Sequence, residues 1–164
     1  MLSTPVDNAE VRVHADDFDP GQEIARLGLA GGAGESGAVV SFVGLVRGDA
    51  AAAVSGISAL ELEHYPGMTE RSIAGIIDQA RQRWNLLDVC VIHRIGRLHV
   101  GDRIVFVGIA SRHRGDAFAA CEFVMDYLKT RAPFWKKEWN AYDQASWVDA
   151  RESDYGAAAR WESG

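Results

Sequence analysis

The chain has 164 residues, 48% of them hydrophobic and 24% charged, with a formal net charge of −6. That is the composition of a soluble globular protein and the length of one domain with a buried core, residues 1–164. The acidic balance argues against non-specific nucleic-acid binding, and apolar runs such as 38–46 and 104–110 are far too short to cross a bilayer.

Residues 1–8 lack a basic start followed by an apolar stretch, so no secretory signal is read there. A flexible N-terminus, a cytoplasmic protein and no membrane partner are expected. Residues 10–14 read as a short strand. Asp19-Pro20 supplies an N-cap followed by proline at the first helical position, opening a helix to about Leu29. The glycine-rich stretch 28–37 is a loop. Residues 38–47 are almost continuously apolar, as in a strand covered on both faces. The alanine-rich stretch 48–56 is expected to be a mobile loop.

In 58–65, Leu60, Leu62 and His64 alternate with Glu61, Glu63 and Tyr65, a strand with one wet face. Ile73, Ile76, Ile77, Ala80 and Trp84 recur at helical spacing across 69–84. Strands at 89–95 and 103–111 are joined through a turn at Gly96 and Val100-Gly101-Asp102. A second long helix covers 116–131, with a stripe of Ala117, Phe118, Cys121, Val124, Met125 and Leu128. Pro133 forces Ala132 out of helical geometry and stops it. Residues 134–139 and 146–148 read as short strands or an extended arm, and 155–164 as a C-terminal tail. The sum is an α+β domain with a mixed or antiparallel sheet and two main helices.

Cys90 and Cys121 both fall in apolar settings and read as small buried hydrophobes. No Cys-x-x-Cys or close Cys/His set is present, so no metal site is expected. Charge is uneven: between Arg112 and Lys137 lie six Arg or Lys against three acids. Ser111-Arg112-His113-Arg114 joins a buried strand to a helix N-terminus, a place suited to a small anion. Lys129 leaves the helix at the edge of its apolar stripe, where desolvation would lower its pKa. The alternative is a lysine whose stem only covers apolar surface. The Pro133 break and Phe134-Trp135 would direct Lys136 back toward it. Arg47 ends the most apolar strand. His93 reads as structural, and Glu61 with Glu63 as a solvated sheet face.

Several segments resemble the large subunit of the molybdopterin synthase family. They are Gly37-Ala-Val-Val-Ser-Phe-Val-Gly-Leu-Val-Arg47, Leu62-Glu-His-Tyr-Pro-Gly-Met-Thr69, and His93-Arg-Ile-Gly-Arg-Leu-His-Val-Gly-Asp102. Ser111-Arg-His-Arg114, Met125-Asp-Tyr-Leu-Lys-Thr-Arg-Ala-Pro-Phe-Trp-Lys-Lys-Glu138 and Trp147-Val-Asp-Ala-Arg-Glu-Ser-Asp154 complete the series. The resemblance implies an α/β hammerhead fold and a sulfurtransferase of molybdenum cofactor biosynthesis. Such an enzyme turns cyclic pyranopterin monophosphate into molybdopterin by installing two dithiolene sulfurs. It implies a small ubiquitin-like partner that brings the sulfur as a thiocarboxylate on its C-terminal Gly-Gly, and no metal or organic cofactor. It implies a homodimer within a heterotetramer, with a site shared between two copies.

By the same motifs, Lys129 and Lys136 are the expected catalytic residues. The expected substrate contacts are Leu45, Val46, Arg47, His113, Arg114, Lys129, Lys136, Lys137, Glu138 and Arg151. The loop after Arg47 departs from the resemblance in being alanine-rich at 50–53, and no catalytic residue is assigned to it. Two rival classes make different predictions. A binding module would lose affinity but no turnover on lysine replacement, and an RNA-binding domain would show steep salt dependence.

Overall fold

A computed structural model describes residues 11–48 and 56–163. The stretch expected to be flexible at 1–8, and all but the ends of the loop at 48–56, lie outside the described residues. Twelve elements follow in order: β1 (Val11–His14), α1 (Pro20–Leu27), β2 (Ala38–Leu45), β3 (Ile57–His64), α2 (Met68–Arg83) and β4 (Leu86–Arg94), then β5 (Gly96–His99), β6 (Arg103–Ser111), α3 (Arg114–Arg131), β7 (Phe134–Asn140), β8 (Ala145–Val148) and α4 (Glu152–Ala159). They build two four-stranded sheets, ordered β1-β4-β6-β2 and β5-β3-β7-β8. The first is mixed, because β1 runs parallel to β4. The pairings in the second are antiparallel.

The period-two alternation of β4 and β6 divides the core into two layers. Val89, Val91, Val105, Val107 and Ile109 pack on the long helices α2 and α3. Cys90, Ile92, Phe106 and Ala110 face the other way, onto Phe18 and Leu27. Gly108 sits on this second face, where a Cβ would overlap the Leu27 side chain and lie 2.7 Å from the Phe106 ring. Its lack of a side chain is what lets α1 close onto the sheet. The short helix α1 starts as expected: the Asp19 carboxylate accepts from Gly21 N at 2.8 Å. A third cluster of Val46, Leu60, Leu62 and Leu98 lies where the sheets meet. Both cysteines are buried. Burial raises the Cys90 thiol and pushes that of Cys121 up to about 11, which disfavours the reactive thiolate at both.

Four expectations need amendment. Strand β2 is not covered on both faces along its length. It is an edge strand, with Phe42 41% and Leu45 55% exposed. Gly96 does sit in a turn conformation, at φ 82°, but β5 begins there and pairs with β3 from Ala59↔His99 to Leu62↔Gly96. The apolar stripe of α3 is misdrawn at one position: Phe118 is 63% exposed, whereas Phe123 and Tyr127 are buried. A single stripe fails because α3 is covered on more than one side, with Phe123 meeting Trp84, just past the end of α2, at 5.4 Å and Trp161 at 5.5 Å between ring centroids. Finally, the stretch read as a C-terminal tail contains most of helix α4. The Asp154 carboxylate accepts from Arg151 N at 3.1 Å, satisfying the helix start. Beyond its end, Trp161 Nε1 donates to Asp126 at 2.6 Å.

Candidate active site

Strand β7 decides which of the clustered basic residues can meet. Neighbours across an antiparallel pair share a face, and Leu62 pairs with Lys136, Leu60 with Glu138 and His64 with Phe134. Phe134, Lys136 and Glu138 therefore share the side on which Leu60 and Leu62 are buried. Trp135, Lys137 and Trp139 point the opposite way. There Lys137 lies 3.9 Å from Glu63 and 4.3 Å above the Trp147 ring, and Trp139 Nε1 donates to Glu61 at 2.9 Å. Lys137 thus does not share a face with Lys136 and Glu138. Glu61 and Glu63 act as partners on the outer sheet face, as their alternation implied.

Lys129 is on the last turn of α3 and is exposed, while Lys136 is partly buried. The desolvation anticipated for Lys129 is found at Lys136, because β7 carries Lys136 inward. Burial is the largest influence lowering the Lys136 ammonium below its ordinary value. Lys129 and Arg151 push the same way, while Glu138 and Asp154 partly oppose them. These five charged side chains thus form one electrostatic group drawn from α3, β7 and the start of α4. All three lysines of the chain fall between positions 129 and 137. Among the described residues, no ion pair holds Lys129, Lys136 or Arg114. Arg112 and Arg131, by contrast, are engaged by Glu35 and Glu162.

The topology carries the end of β2 and the end of α3 to the same end of the first sheet. Leu45 pairs with Arg103 at the start of β6, and α3 runs back along β6 to bring Lys129 toward that edge. Val46 itself is buried at 2% exposure, its amide donating to Asp102 O at 2.9 Å. Its side chain belongs to the core, whereas Leu45 and Arg47 are exposed.

His113 and Arg114 stand elsewhere. They open α3 at the opposite end of the sheet, lining an open cleft with Gly37, Arg112 and Gly115. Gly37 is required there, since a Cβ would overlap the Arg112 carbonyl. Fifteen positions of helix separate Arg114 from Lys129, about 22 Å at 1.5 Å per residue. One chain therefore brings together Lys129, Lys136, Glu138 and Arg151, and does not bring His113 and Arg114 to them.

Sequence reasoning missed the supports of this centre. His93 stacks on Phe134 at 3.9 Å between centroids, and its Nδ1 is 2.8 Å from Arg94 O. Desolvation drives its imidazole down to about 4, with Lys129 and His64 adding to the effect. His93 is structural, as expected, but it sits against the site. His64 Nε2 lies 3.4 Å from Glu70. Only the alternation of 58–65 hinted that His64 would face inward.

Comparison with known proteins adds an identity to this geometry. Residues 13–131 match the family model described as MoaE protein. A molybdopterin synthase catalytic subunit from Ralstonia nicotianae is 58% identical over 153 residues, 92% of this chain and 83% of that protein. The solved structure of the molybdopterin biosynthesis MoaE protein from Burkholderia ambifaria superposes with a TM-score of 0.77. It is 51% identical, covering 94% of this chain and 98% of its own. A complex of subunits 1 and 2 of the molybdopterin-converting factor from Helicobacter pylori contains the same fold at 18% identity and a TM-score of 0.68. That match covers 88% of this chain and 92% of that one.

Proposed function

This chain belongs to the MoaE protein family, and from that premise we propose that it is the catalytic subunit of a molybdopterin synthase. Its reaction is sulfur transfer. Cyclic pyranopterin monophosphate receives two dithiolene sulfurs, one from the C-terminal thiocarboxylate of each of two small ubiquitin-like partner molecules, and water releases each spent partner as its carboxylate. The proposal calls for no resident metal or organic cofactor, since the sulfur arrives on the partner.

The observation that carries the reading is the pairing of a partly desolvated Lys136 with an exposed Lys129 beside Glu138 and Arg151. Lys129 and Arg151 provide fixed positive charge for the substrate phosphate. Lys136, whose ammonium is disfavoured by burial, releases a proton more readily than an ordinary lysine. It is the suited acid toward oxygen as sulfur attacks the adjoining carbon. Glu138, on the same face of β7, favours the charged ammonium and partly offsets the effect of burial.

His113 and Arg114 enter the proposal through a second copy of the chain. The free edge of β2 and the neighbouring surface of α3 expose Phe42, Leu45 and Phe118, an apolar patch of the kind a partner covers. Two β2 edges paired antiparallel about a two-fold axis set the Leu45 end of one copy against the Ala38 end of the other. The cleft at His113 and Arg114 of one copy then faces the Lys129 end of its neighbour.

The test is product formation. The purified chain, its thiocarboxylated small partner and cyclic pyranopterin monophosphate should yield dithiolene product. A stable complex that makes none would leave only a binding role.

A further inference from the structure

The relative placement of Lys129 and Lys136 is fixed by the few residues between α3 and β7. Ala132 leaves the helix at φ −80°, ψ 128°, and Phe134 N donates back to Ala132 O at 2.9 Å, a tight turn about Pro133. Such a corner has few internal restraints, yet two side chains from elsewhere grip it. Thr69, at the start of α2 and 0% exposed, donates its hydroxyl to Pro133 O at 3.0 Å. The same hydroxyl accepts from Tyr65 N at 3.0 Å, so both of its functions are used. Thr69 N in turn donates to Tyr65 O at 2.9 Å. On the other side His93 stacks on Phe134, two residues before Lys136 on the same face of β7.

We infer that Thr69 is a positioning residue for the reaction. Its hydroxyl holds the Pro133 carbonyl, sets the exit of β7 from α3, and so fixes Lys136 relative to Lys129. His93 holds the same corner by stacking. A buried hydroxyl with both a donor and an acceptor partner has one orientation, and losing it leaves the Pro133 carbonyl and the Tyr65 amide without their partner. Catalytic geometry is sensitive to small displacements: a shift of about 1 Å can cost on the order of 100-fold in rate. Thr69 itself touches a backbone corner and acts only through it.

The inference rests on Lys129 and Lys136 being the reacting centre, so its test has one readout that needs no turnover. The three lysines can be 13C-methylated and titrated by NMR, with Lys129→Arg and Lys137→Arg variants assigning the Lys136 signal. Thr69→Val keeps the shape and removes the hydroxyl, while Thr69→Ser keeps the hydroxyl. In Thr69→Val, kcat per folded molecule should fall about 10- to 100-fold with KM changed less than about twofold. Its Lys136 signal should titrate closer to the ordinary lysine range, as contact with Lys129 and burial are relaxed. Thr69→Ser should restore both quantities to near wild type.

Should Thr69→Val fail to fold, His93 tests the same corner. His93→Phe keeps the stack and should retain turnover, whereas His93→Leu should lose it and release Lys136. A Thr69→Val enzyme with wild-type kcat and Lys136 titration overturns the inference, as does a serine variant that rescues neither. If wild type gives no product while the Lys136 signal still shifts in Thr69→Val, the assigned reaction fails and the positioning of Lys136 stands.

Discussion

Complementation between two inactive variants follows from the length of α3. Arg114 and Lys129 are separated by about 22 Å along one helix, too far for a single chain to present both to one small substrate. If two copies share each site, Lys129→Ala and Arg114→Ala damage different halves of it. Each removes a charge-assisted contact worth about 1.5–3 kcal/mol, or roughly a 10- to 150-fold loss of activity alone. Arg114→Ala costs the helix little, since alanine is a good helix former.

In a mixed dimer one site receives Lys129 from the Arg114→Ala chain and Arg114 from the Lys129→Ala chain, and is intact. The other site carries both defects. Random reassociation gives about half mixed dimers with one good site in two, so about 25% of wild-type activity returns. The assay mixes the two purified variants after mild dissociation and follows dithiolene product with the small partner present. Activity that stays at the level of the separate variants, with mixed dimers shown by mass spectrometry, would refute the shared site.

Three other outcomes follow from the same structure. Burial lowers the Lys136 ammonium from its usual 10.5, so between the folded value and 10.5 the unfolded chain binds more protons and stability rises with pH. Lys136→Met should therefore match or exceed the wild-type Tm at pH 7 while losing turnover, with the gap narrowing toward pH 10.5. For His93, near 4 when folded against 6.5 ordinarily, stability is full above pH 6.5 and declines as pH falls toward 4. His93→Phe should flatten that part of a Tm-against-pH curve. Gly37→Ala drives a methyl into the Arg112 carbonyl, which should cost about 1–3 kcal/mol in denaturant unfolding and disturb the cleft at His113 and Arg114.

Most elements were legible because their causes are local. Asp19-Pro20 starts α1, Pro133 ends α3, and the alternation of Leu60 and Leu62 with Glu61 and Glu63 sets β3. What escaped depends on contacts distant in sequence. Gly96 reads as a turn from its neighbours, and only pairing with β3 makes the following residues a strand. Phe118 obeys the helical period but meets an open edge, whereas Phe123 is buried because Trp84 and Trp161 come to it. The site was half legible. Motifs named Lys136 and Lys137 together, yet strand alternation puts them on opposite faces. His113 and Arg114 were named with Lys129, although one chain holds them at opposite ends of α3. Thr69 closes one of the matching segments, but its partner was not legible, since that is a carbonyl 64 positions away.

The central claim is that Lys129 and Lys136 form the reacting centre. Its most direct test is single-turnover product formation by wild type, Lys129→Ala and Lys136→Ala, each saturated with thiocarboxylated partner and with complex formation measured separately. The account predicts dithiolene product from wild type and a loss of at least about tenfold in both variants, with the complexes intact. Undiminished product from either variant would contradict it.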